Sequence, residues 1–87
     1  MKVLQMNKEH LIEAAQIPED GNINLFKLGE WLGENSINMS EVRPGWYIIK
    51  DSKMINSLVE IINEDTLHQR YNINDENTVE VYVDVQN

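Results

Sequence analysis

The sharpest pattern lies at the C-terminal end of the chain. Val79, Val81, Val83 and Val85 fall on every second position, with Thr78, Glu80, Tyr82, Asp84 and Gln86 between them. Period-two alternation is the signature of a half-buried strand. "TLHQRYNI" (residues 66–73) precedes it across the turn residues "NDEN" (74–77), so the two arms predict a β-hairpin. With its valines turned to a core, the second arm presents Glu80, Tyr82 and Asp84 to solvent, beside Asp75 and Glu76 at the hairpin tip.

Upstream, the period changes to that of helices. "MNKEHLIEAAQIP" (6–18) has Asn7 as an N-cap, Met6 and Leu11 as a hydrophobic staple, and Pro18 as a stop. In "NINLFKLGEWLGEN" (22–35), Asn24 is placed to cap, Ile23 and Leu28 to staple, and Leu25, Leu28 and Leu32 to line one face before Gly33 closes the helix. A glycine inside this helix, Gly29, costs roughly 1 kcal/mol against alanine and predicts a close neighbour. Asp51 caps "SKMINSLVEIINED" (52–65), where Met54, Ile55, Leu58, Ile61 and Ile62 form a broad apolar stripe. There, Glu60, Glu64 and Asp65 load the C-terminal half against the helix dipole. Between the second and third helices, Pro44-Gly45 marks a turn and Trp46 to Ile49 a short strand. The expected architecture is a single α+β domain over residues 1–87, a small winged-helix-like fold of three helices with a C-terminal β-hairpin. Leu28, Leu32, Leu58, Ile62, Val81 and Val83 are expected to share its core.

Two stretches carry a family likeness. In "EDGNINLFKLGEWLGEN", Asp20, Gly21, Leu25, Leu28, Gly29 and Leu32 stand in an aspartate-glycine turn leading into a leucine- and glycine-containing helix. "GWYIIKDSKMINSLVEII" (45–62) is a looser counterpart of a following helix. Together they resemble the winged-helix domains of the OST-HTH (LOTUS) type. That resemblance implies RNA binding or docking to partner proteins.

Charge separates those two roles. The net charge is −8 and falls in blocks: Lys2 and Lys8 near the start, seven acids against Lys27 over 9–41, Arg43, Lys50 and Lys53 against Asp51 over 43–53, and seven acids against Arg70 over 60–87. Duplex binding relies on basic surface to neutralise phosphates. Only the 43–53 stretch offers it, where Arg43, Trp46, Tyr47, Lys50 and Lys53 mix cations with rings as single-stranded nucleic acid requires. The remaining surface favours a basic partner. A tyrosine framed by carboxylates, as in the C-terminal arm, suits an arginine- or lysine-rich protein face.

Other chemistry is thin. There is no cysteine, which excludes disulfides and thiolate metal sites. The two histidines, His10 and His68, belong to no ligand-spaced motif, and no metal or cofactor is expected. The serines lack a nucleophile elbow, and Asp75-Glu76 lacks the spacing of a calcium loop. No apolar run approaches the roughly 20 residues that span a bilayer, and "MKVLQMNKEHLIE" lacks the form of a secretion signal. A cytoplasmic, non-enzymatic interaction module is expected. It would dock to a protein with a basic surface, for example as an inhibitor or regulator of a nucleic-acid-handling protein. The alternative is RNA or DNA binding through the 43–53 patch.

Overall fold

The computed structural model describes the backbone of residues 2–5, 12–51, 53–71 and 79–82, and the side chains of 12–51 and 53–71. Its elements run β1 (Lys2–Gln5), β2 (Ile12–Gln16), α1 (Leu25–Leu32), β3 (Tyr47–Asp51), β4 (Glu60–Ile62), α2 (Glu64–Arg70) and β5 (Val79–Tyr82). The strands form one antiparallel sheet in the order β4-β3-β2-β1-β5. The expectation of three helices with a C-terminal hairpin is therefore corrected to an antiparallel sheet with two helices among the described residues.

Burial explains the layering. Ala14, Tyr47, Ile49 and Ile62 pack with Leu67 of α2, and Ile12 and Tyr71 join them. Ile17 and Ile48 pack with Leu28 and Leu32 of α1 and with Val59, with Trp31 and Trp46 at the margin. Along β3 the two sets alternate, as strand geometry demands. Among the described residues each face of the sheet thus carries one helix, and two cores replace the single core expected.

The first expected helix is instead the central strand β2, with residues 6–11 outside the described set. Ala14 and Ala15 have no exposed surface. A strand covered on both faces loses its alternation, so "LIEAAQI" reads as a helix, an impression alanine's helix propensity reinforces. Cross-strand pairing of Ala14 with Ile49 and Ala15 with Ile48 overrides that local preference.

The second helix forms as the sequence predicts. Asn24 Oδ1 accepts from the Lys27 amide at 3.2 Å, and Gly33 closes α1 at a φ of 63°. Leu28 and Leu32 are buried, and Ile23 packs beside them, but Leu25 is exposed.

The third helix does not form. Asn56 takes a positive φ of 54°, and Leu58 makes an isolated parallel bridge to Ser36. The chain then enters β4. Asp51 does not cap a helix; its carboxylate accepts from the Lys53 amide at 2.9 Å. Met54, Ile55 and Leu58, expected in the core, are exposed.

The first hairpin arm is also corrected, because residues 64–70 are helical. Asn63 caps α2 by accepting from the Thr66 amide at 2.8 Å. Glu64 and Asp65 sit in its first turn, with His68 and Arg70 in its last. These charges therefore complement the helix dipole rather than oppose it. The second arm is a strand over Val79–Tyr82, but its partner is β1: Val81 pairs with Val3 and Glu80 with Leu4. Val83 lies outside the described residues.

Candidate interaction surfaces

The residues singled out from 43–53 do not assemble on one face. β3 sends Tyr47 into the α2-side core and holds Lys50 on the α1 side, where Trp46 also packs. Arg43 is exposed and donates from Nη1 to the carbonyls of Ser40 and Val42 at 2.9 and 3.0 Å. Lys53 is exposed on the loop after β3. The turn expected at Pro44-Gly45 is present, closed by the Trp46 amide on the Arg43 carbonyl at 3.1 Å, with Gly45 at a φ of 81°.

Lys50 is engaged within the fold. Its Nζ donates to the Trp31 carbonyl at 2.6 Å, lies 3.5 Å from Glu13 Oε1, and sits 4.9 Å from the Trp31 ring centroid. Trp31 Nε1 donates to Glu13 Oε2 at 3.2 Å. Glu13 and Lys50 are directly paired across β2 and β3. One lysine thereby caps the C-terminal end of α1 and fixes that helix to the sheet.

Of the residues expected at the acidic face, Asp75, Glu76 and Asp84 lie outside the described residues. Glu80 and Tyr82 lie on β5, at the registers of Leu4 and Lys2. The Glu80 register continues through Leu4 and Ala14 to Ile49 and Glu60, and the Val81 register through Val3 and Ala15 to Ile48 and Ile61.

A groove that the sequence reading missed opens beside β4. It encloses about 160 Å³, with the buried side chains of Ile49 and Val59 below and the exposed side chains of Met54 and Leu58 on its walls. Asp51, Glu60 and Tyr71 supply its polar edge. Glu60 forms an ion pair with Arg70, which holds the guanidinium above its ordinary pKa. The Tyr71 hydroxyl is also pushed above the ordinary phenol value, first by burial and then by the negative charge of Glu60, with a smaller part from Asp51. It therefore remains a hydrogen-bond donor throughout the physiological range. The groove was hidden because Met54 and Leu58 repeat with helical spacing and read as core.

Surface charge is strongly negative. Among the ten described carboxylates only Glu13 and Asp51 are half-buried, and the other eight are exposed. His68 is exposed, 3.8 Å from Glu64, while His10 lies outside the described residues. No group of three or more potential metal-ligating side chains occurs among the described residues. None of the described helices is long and apolar enough to cross a membrane. No protein-family model, curated protein or solved structure matches this chain.

Proposed function

We propose that this chain is a non-enzymatic interaction module that docks, in the cytoplasm, to a protein with a basic surface. The groove beside β4 is the observation that carries this reading. Exposed Met54 and Leu58 offer adaptable apolar walls, since thioether and aliphatic side chains accommodate varied shapes. Asp51, Glu60 and the Tyr71 hydroxyl stand at the edge where an ammonium or guanidinium would rest. A lysine or arginine stem fits such a site, with methylenes along the walls and charge at the rim. The exposed Glu60–Arg70 pair is easily exchanged for an incoming cation. Lys50, meanwhile, is occupied by Glu13 and Trp31. A regulator that covers the cationic surface of a nucleic-acid-handling protein is the form of this function that the charge favours.

The test is affinity purification from the native host with nuclease treatment, followed by titration of the purified partner. A directly bound protein is expected, and Met54→Asp with Leu58→Asp should weaken it at least about tenfold while circular dichroism stays unchanged. Glu80→Lys with Asp84→Lys measures the share of the acidic C-terminal segment. Recovery that disappears with nuclease, together with a low-salt gel shift of RNA abolished by Lys53→Glu, would move the function to nucleic acid through the 43–53 stretch.

A further inference from the structure

We infer that the outward face of α1, built from Leu25, Phe26, Gly29 and Glu30, is a docking surface for a cationic partner segment that carries an apolar side chain at its centre. The inference rests on the docking reading above and adds a second contact surface, on the helix covering the opposite face of the sheet from α2.

Three features of this face disfavour the isolated helix, and the described core explains none of them. Leu25 and Phe26 are 63% and 75% exposed, although Leu28 and Leu32 already supply the buried stripe of α1. Gly29 occupies a helix interior, where glycine is unfavourable relative to alanine. A Cβ built there meets nothing within 4 Å, so the close internal neighbour expected from the sequence is absent among the described residues. Gly33, by contrast, has its explanation in the positive φ of the C-cap. Finally, Glu30 lies in the last turn and Glu34 just past the cap, at the negative end of the dipole; α1 has no basic residue of its own in its last turn, and the cation that reaches this end, Lys50 of β3, is shared with Glu13. Neither glutamate forms an ion pair among the described residues. Where several local rules fail together without a structural gain, function is the usual cause.

The positions are also contiguous. Leu25 and Gly29 are four apart, as are Phe26 and Glu30, so they form two adjoining columns on the helix surface. The missing Cβ at Gly29 leaves a notch between two apolar side chains and a carboxylate. An apolar side chain entering the notch would reach the helix backbone, while a flanking lysine or arginine would meet Glu30 and the Phe26 ring. A second copy of this chain is a poor occupant, because it brings the same glutamates and the same net charge of −8.

The probes are three synthetic helical peptides: one with leucines on one face and lysine and arginine on the other, a version with glutamate for every cation, and a scrambled version. Each is titrated into the isotopically labelled chain, and amide shifts are followed. The cationic amphipathic peptide should perturb residues 25–34 most, and the two controls should bind at least about tenfold more weakly. Phe26→Ala, Glu30→Lys and Gly29→Leu should each weaken binding by a similar factor, with melting temperatures no lower than wild type for Gly29→Leu. Binding that maps elsewhere and is indifferent to these three substitutions overturns this surface but leaves docking in place. Failure of the wild type to bind the cationic peptide overturns both. Equal binding of the glutamate version removes the charge argument and the inference with it.

Discussion

Tyr71 is where the physics of a single residue is easiest to measure. Its hydroxyl is half-buried at the groove and faces the charges of Glu60 and Asp51, so the phenolate is disfavoured in the folded state. The folded pKa is thus raised above the unfolded one, which lies at about 10. The folded chain then holds this proton more tightly, and its contribution is fully present below that pH. It is lost as pH rises from the unfolded value through the folded one. Tyr71→Phe removes the contribution. Urea unfolding at about pH 8 and about pH 10.5 should therefore show wild type losing more stability than Tyr71→Phe between the two conditions. Parallel losses would mean that the Tyr71 environment is not the one described. Residue-level signals of other kinds were legible in the sequence. Asn24 and Gly33 bracket α1, and Pro44-Gly45 turns, because caps and tight turns depend on the chemistry of their own few residues.

At the scale of elements, legibility followed how local each element's causes are. α1 forms where its caps predict, and β3 forms from an aromatic and β-branched run. β2 and the segment before β4 were misread because neighbours decide their conformation. Ala14 and Ala15 are small and buried by partners distant in sequence, and Leu58 is held by a bridge to Ser36. The signal for α2 was present in "NEDT", an N-cap followed by two acids, but it was absorbed into the end of the helix expected before it. The residues of the 43–53 stretch separate for a related reason: a run contiguous in sequence is split by a strand between two faces. The attachment of α1 to the sheet can be tested through Lys50. Glu13 and Lys50 side chains are 20% and 22% exposed, so their interaction is only partly screened. Lys50→Met keeps a stem over Trp31 but removes the donor to the Trp31 carbonyl and the partner of Glu13. The expected cost is about 1–2 kcal/mol by chemical denaturation, with a shift in tryptophan emission. Wild-type stability and unchanged emission would show that α1 is held by apolar contact alone.

Across its described residues the molecule is a sheet with a helix on each face, and this arrangement makes a claim that a one-core winged helix does not. Ile17 belongs to the cluster under α1, and Ile62 to the cluster that includes α2. Both are buried. Each Ile→Val change removes one methylene and should cost about 0.5–1.5 kcal/mol. Because the sheet separates the two sites and they share no cluster, the double variant should equal the sum of the single changes within about 0.5 kcal/mol. Substitutions that touched a common set of side chains would instead couple, since the second would enlarge or relax the cavity left by the first. Ile17→Val with Ile48→Val supplies that contrast, both residues lying in the α1-side cluster. Additivity for the first pair beside coupling for the second would establish two independent cores, one under each helix. Coupling of Ile17 with Ile62 would join the two layers into one cooperative core, and a ligand bound at either surface would then be felt at the other.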